Sequence, residues 1–105
     1  MKIIKAFKMK IYDGMEKEYE KRHDEIWPEM KTMIKENGIS NYSIFWDKET
    51  NFLFSYMEVD EERSDNAMVE NPLRTKWWAY MADIMETHPD NSPISLQLKN
   101  VFYLD

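Results

Sequence analysis

Cysteine is absent from the 105 residues. A disulfide framework, a thiolate metal site and a thiol nucleophile are therefore all excluded. Glycine occurs only twice, too rarely for a glycine-rich loop of the kind that cradles phosphates. No apolar run is long enough to span a bilayer. The opening stretch, MKIIKAFKMKIYDG, alternates lysine with apolar residues. It lacks the continuous apolar core and small-residue cleavage site of a secretion signal, so the expected compartment is the cytoplasm. Positive charge is also scarce: 14 Lys and Arg stand against 20 Asp and Glu, a formal net charge of −6. Phosphate backbones and anionic lipid surfaces are bound by Lys and Arg, so nucleic acid and membrane are poor partners for this chain. What is abundant is apolar and aromatic. A hydrophobic content of 43% supports one packed domain over residues 1–105 and is too little chain for two. Neither an internal repeat nor a low-complexity tract interrupts it.

Residues 2–11 place Ile3, Phe7, Met9 and Ile11 on one side of a period-two pattern, with Lys2, Lys8 and Lys10 on the other, which predicts a strand. Asp13-Gly14 supplies a turn. Met15, Tyr19, His23, Ile26, Met30 and Met33 then recur at the three- and four-residue steps of one helix face. Gly38 suits the left-handed cap at the end of that helix. Pro28 interrupts it, because proline donates no backbone N–H and drives Trp27 away from helical angles, so a break just after His23 is expected. Residues 39–47 and 52–59 are rich in strand-forming residues around a short polar turn, which predicts an antiparallel hairpin. The acidic stretch from Asp60 to Asn71 reads as a solvated helix. Pro72 opens another helix, with Leu73, Trp77, Met81 and Ile84 on one face. Residues 88–93 form a loop by composition, and residues 95–104 alternate as a last strand. Strand, helix, strand, strand, helix, strand is the order of an α+β, ferredoxin-like split βαβ fold with an antiparallel sheet.

Helices cover one face of such a sheet. The other face would carry Tyr42, Ile44 and Trp46 or their odd-numbered neighbours, much of it too apolar to stay wet. Two copies meeting sheet to sheet would bury it, so a homodimer, a dimeric α+β barrel, is expected.

His23 is the first candidate for chemistry, since imidazole alone titrates near neutrality without perturbation. On an apolar helix stripe it is either a core histidine satisfied by a backbone carbonyl or a proton carrier. Tyr19 one turn before it and Trp27-Pro28 one turn after it supply the company a proton carrier needs. Adjacent Trp77 and Trp78 point about 100° apart on a helix, so at most one is fully in the core and the other meets a boundary or a cavity. Such rings pack as core, or offer a platform to the weakly positive C–H bonds of a sugar. Tyr42 is either an ordinary strand aromatic or a hydroxyl for a sugar. His88, before Pro89, reads as a loop residue. Neither histidine sits in a motif such as H-E-x-x-H, so no metal ligands are assigned. The nine methionines read as adaptable core filler.

The stretch from Tyr19 to Glu29, YEKRHDEIWPE, resembles the Y-x-x-R-H-x-x-I-W-P-E signature of L-rhamnose mutarotases. Asn41-Tyr42-Ser43-Ile44, Trp77-Trp78-Ala79-Tyr80-Met81, Pro89-Asp90-Asn91-Ser92-Pro93 and Val101-Phe102-Tyr103-Leu104 resemble the family too, in order and at compatible spacing. Arg63 to Lys76 resembles it least, and nothing functional is carried from there. The resemblance implies a dimeric, cofactor-free cytoplasmic isomerase that equilibrates the α and β anomers of L-rhamnose. It also implies a catalytic role for His23 as proton donor, and sugar contacts from Tyr19, Tyr42, Trp77 and Trp78.

Mutarotation opens a hemiacetal: the ring oxygen gains a proton, the anomeric hydroxyl loses one, and the ring closes on the other side. On this reading a protonated His23 donates to the ring oxygen, and the base is a carboxylate, a water or His23 itself through a relay. The rival readings are a monooxygenase of the same dimeric barrel architecture, haem-using or cofactor-independent, and a non-catalytic sugar-binding protein.

Overall fold

The computed structural model describes residues 2–62 and 71–105. The chain runs β1 (Lys2–Lys10), α1 (Glu16–Asp24), α2 (Pro28–Glu36), β2 (Ile39–Trp46), β3 (Phe52–Asp60), α3 (Pro72–Met81) and β4 (Leu96–Gln97). All strand pairs are antiparallel and the sheet order is β2-β3-β1-β4, the ferredoxin-like arrangement expected. β1 and β3 lie at the centre, paired from Lys2↔Asp60 to Lys10↔Phe52.

The break in the long helical segment falls where proline dictates. α1 ends at Asp24, Trp27 takes extended angles (φ −57°, ψ 133°), and Pro28 begins α2, where its missing N–H costs no hydrogen bond. α2 buries Met30 and Met33 and stops at Asn37-Gly38. The Asn37 amide donates to the Met33 carbonyl at 2.8 Å, and Gly38 takes φ +78°, an angle that costs glycine no Cβ clash. At α3, the Asn71 side chain accepts from the Leu73 N–H at 2.9 Å, the cap that stops an opening turn from leaving its donors unpaired.

The sheet's two faces follow from register. Met9 pairs with Leu53 and Phe7 with Ser55, while Ile44 pairs with Ser55 and Trp46 with Leu53. These residues share the helix-covered face, because partners in an antiparallel pair point the same way. Phe45 and Phe54 pair on the opposite face, where Phe45 is 65% exposed and the Lys8 ammonium lies 4.4 Å from the Phe52 ring centroid. The odd-numbered neighbours, not Tyr42, Ile44 and Trp46, therefore lie on the open side. Met9, Met30, Met33, Met81 and Met85 are all buried in the core between sheet and helices, the filler role expected of methionine.

Two expectations need correction. The acidic helix does not begin at Asp60: that residue ends β3, and its carboxylate accepts from the Glu62 N–H at 3.1 Å, a local turn that competes with helix formation. The part of that expectation covering 63–70 lies outside the described residues. The last strand, expected over 95–104, pairs only at Leu96 and Gln97. After the Leu98 N–H donates to the Ala6 carbonyl at 2.8 Å the chain leaves the sheet, and Val101, Phe102, Tyr103 and Leu104 are all exposed. A period-two pattern marks residues suited to burial on a sheet face, but it does not fix where the pairing with β1 stops. Among the described residues no helix is long and apolar enough to cross a membrane.

Candidate active site

All five residues singled out in the sequence, Tyr19, His23, Tyr42, Trp77 and Trp78, line one cleft between the helices and the covered sheet face. Its volume is about 1440 Å³, against roughly 300–1,000 Å³ for an ordinary small-molecule site, so a hexose fits. Apolar walls come from Phe7, Met9, Ile44, Met57 and Met81.

His23 sits in the last turn of α1, stacked on Tyr19 with ring centroids 4.3 Å apart and edge-on to Trp77 at 5.4 Å. Trp77 also meets Trp27 edge-on at 5.1 Å. Its environment accounts for the asymmetry of the tryptophan pair: Trp77 is buried and Trp78 is half-buried, with the Arg74 guanidinium 4.1 Å from a Trp78 ring centroid. The helix geometry that forbids two adjacent rings from sharing one face has placed one in the core and one at the boundary.

The His23 Nδ1 lies 3.0 Å from the Tyr19 carbonyl oxygen. A carbonyl only accepts, so Nδ1 carries the proton and Nε2 is the ring's acceptor. Burial lowers the imidazole's pKa below the ordinary histidine value, opposed in part by that carbonyl and by Asp24. Burial thus favours the neutral form of the ring. Tyr19 is driven up by burial and then by the neighbouring Tyr42. Tyr42 is pushed up to about 12, again by burial first, although 38% of the residue's surface is open; its hydroxyl end is the shielded part. Both phenols stay protonated at neutral pH and remain hydrogen-bond donors.

Tyr42 reaches the cleft because of a bulge. Between Ser40↔Glu58 and Ser43↔Tyr56 the β2 strand advances by three residues while β3 advances by two. The extra residue reverses the alternation, so Ile39 and Ile44 face the same side despite their odd spacing. Asn41 adopts φ +48° there, and its amide donates to the Glu58 carboxylate at 2.8 Å. Period-two reading cannot reveal such a shift; the one local signal was Asn41 itself, a residue that tolerates the left-handed region.

His88 lines the cleft's rim from the loop after α3 and is exposed. Among the described residues no group of three His, Asp or Glu is placed to hold a metal ion. Tyr80, close to the tryptophan pair in sequence but given no role there, packs on both Trp27 and Trp77.

Comparison with known proteins agrees with this architecture. A family model described as L-rhamnose mutarotase matches residues 5–104. An L-rhamnose mutarotase from Lachnoclostridium phytofermentans is 60% identical over 98% of this chain and 99% of its own length. One from Clostridium beijerinckii is 56% identical over 97% and 98%. The crystal structure of an L-rhamnose mutarotase from Formosa agariphila superposes with a TM-score of 0.92 at 47% identity, covering 98% of this chain and 99% of that one. With full-length identity of this order and a shared backbone, the chain belongs to the L-rhamnose mutarotase family.

Proposed function

We propose that this chain is an isomerase that interconverts the α and β anomers of L-rhamnose, with His23 as its proton carrier. The observation that carries the reading is the His23 imidazole on the wall of an aromatic cleft, its Nδ1 held 3.0 Å from the Tyr19 carbonyl oxygen so that Nε2 is left as the acceptor. In this reading Nε2 first accepts the proton of the anomeric hydroxyl as the bond from the anomeric carbon to the ring oxygen breaks. The anomeric C–O becomes a carbonyl, and the imidazolium delivers its proton to the departing ring oxygen. Both oxygens are bonded to the same carbon, so one nitrogen serves them in succession. Rotation of the open-chain aldehyde and the reverse sequence give the other anomer. Tyr19 and Tyr42, held protonated, donate to sugar oxygens, and Trp77 and Trp78 supply the aromatic wall for the sugar's C–H face. Rhamnose bears a methyl group where most hexoses bear a hydroxymethyl, and the methionines of the cleft suit it. Apolar contact of that kind discriminates by only about 1–3 kcal/mol, so related deoxy sugars are turned over more slowly rather than refused.

The test is saturation-transfer NMR on rhamnose. Wild-type protein accelerates exchange between anomers, and His23→Ala loses the acceleration, by about 10²- to 10⁴-fold for a group acting as acid and base. Exchange at the wild-type rate in a folded His23→Ala protein removes His23 from the reaction.

The same reading includes a cytoplasmic homodimer. The open sheet face, with Ile4, Phe45 and Phe54 exposed, and the apolar tail from Val101 to Leu104 are both surfaces that a second copy would take out of water.

A further inference from the structure

α1 carries His23 and Tyr19, yet its sequence, EKEYEKRHD, is almost wholly polar, and Tyr19 is the one fully buried residue along it. A helix with so little apolar burial is not held in place by its core contacts alone. α3 carries Trp77, whose ring meets His23 edge-on at 5.4 Å. The catalytic geometry, imidazole against indole, spans these two helices, so something must fix one against the other.

Arg22 makes that connection. Its Nη1 donates to the Tyr80 carbonyl at 2.6 Å and to the Asp83 carboxylate at 2.8 Å, and its Nη2 reaches the second Asp83 oxygen at 3.3 Å. Its Nε donates to Glu18 one turn back on α1, at 2.8 Å. The guanidinium lies 4.6 Å from the Tyr80 ring centroid, and the side chain is 12% exposed against 68% for Asp83. The planar fork thus meets a carboxylate on one edge and a carboxylate of its own helix on the other. Its acceptor at Tyr80 is a carbonyl of the last turn of α3, where helix carbonyls attract cations. Tyr80 in turn packs on Trp27 and Trp77.

We infer that Arg22 is a positioning residue for the reaction, clamping the end of α1 to the end of α3 so that the His23 imidazole keeps its edge-on contact with Trp77. This rests on His23 being the proton carrier. Lysine cannot substitute fully, because a single ammonium lacks the fork that satisfies Tyr80, Asp83 and Glu18 together.

The experiment compares wild type, Arg22→Met, Arg22→Lys and Asp83→Asn, each checked for folding by circular dichroism. Two readouts are taken: kcat and KM for rhamnose anomer exchange, and the chemical shifts of the His23 ring protons, which the Trp77 indole displaces through its ring current. Arg22→Met lowers kcat by about 10²-fold, the loss that a displacement near 1 Å brings, with a smaller rise in KM. Its His23 ring shifts move toward those of a free histidine. Arg22→Lys and Asp83→Asn fall between it and wild type in both readouts, and Asp83→Asn keeps the question open to measurement if Arg22→Met does not fold. Unmoved His23 shifts in folded Arg22→Met overturn the inference whatever the activity, since Arg22 would then act otherwise than through His23. Wild-type kcat in that variant overturns it too. If His23→Ala keeps full activity while Arg22→Met moves the His23 shifts, the clamp stands and the proton-carrier reading fails.

Discussion

The His23 imidazole is stacked on Tyr19, with ring centroids 4.3 Å apart, and donates from Nδ1 to that residue's own carbonyl at 3.0 Å. One residue thus shields the ring from water and selects its tautomer. Shielding lowers the pKa, and the tautomer leaves Nε2 with the free lone pair.

The consequence for pH is directional. The folded-state pKa of His23 lies below 6.5 because burial outweighs the carbonyl and Asp24. An unfolded chain takes up this proton first as pH falls, so the contribution of His23 to stability is fully present above about pH 6.5 and is lost as pH falls through the lower folded-state value. Urea denaturation at pH 7.5 and pH 5.5 shows a larger drop in stability for wild type than for His23→Gln. On the proton-carrier proposal, anomer exchange falls over the same acidic range, because protonation occupies the Nε2 lone pair.

Trp77 and Trp78 separate by effect. Trp77 is 8% exposed and touches His23, Trp27 and Tyr80, so Trp77→Ala costs roughly 3–5 kcal/mol of folding stability. Trp78 is half-buried, and Trp78→Ala costs clearly less stability while raising KM for the sugar. Denaturant midpoints and the KM of exchange, measured on the two variants side by side, check this division.

Asn41 sits in the bulge that precedes Tyr42 and Ser43. Asn41→Gly keeps the left-handed angle of +48° and is nearly neutral. Asn41→Val strains it by about 1–2 kcal/mol, and relief of the strain by removing the bulge would turn Tyr42 to the open face. Asn41→Val therefore loses stability and gains KM together. A valine variant with unchanged KM shows that the bulge does not control Tyr42.

Removal of residues 101–105 discards four exposed apolar side chains. On the homodimer reading, sedimentation velocity finds the full chain at twice the subunit mass and the truncated chain shifted toward one subunit. A monomeric full-length chain contradicts that reading.

The sheet and helix order was legible because it rests on local periodicity. β1, the hairpin of β2 and β3, the opening of α3 at Pro72 and the break before Pro28 all follow from side-chain alternation, helical spacing or the fixed angles of proline. The alternation grouped Tyr42 with Ile44 and Trp46 as they lie, but did not reveal the bulge at Asn41, since a single extra residue shifts that group relative to Ile39 without altering composition. The tail misled for a related reason: alternation at 95–104 registers suitability for a sheet but not how many of those residues find a strand to pair with, and only Leu96 and Gln97 do. Arg22 was visible only as part of a motif. Its partners Tyr80 and Asp83 stand 58 and 61 residues away, and no pattern of period two or 3.6 links residues at such distances.

The sequence by itself determined most of the elements, the family and five of the residues that line the cleft, because hydrophobic spacing and a run of matching motifs are properties of the chain read in order. Only the tertiary structure decided the direction in which the pKa values of His23 and the two tyrosines move, and which of the two tryptophans is buried. Burial sets all of these, and burial is created by residues distant in the chain that folding brings into contact.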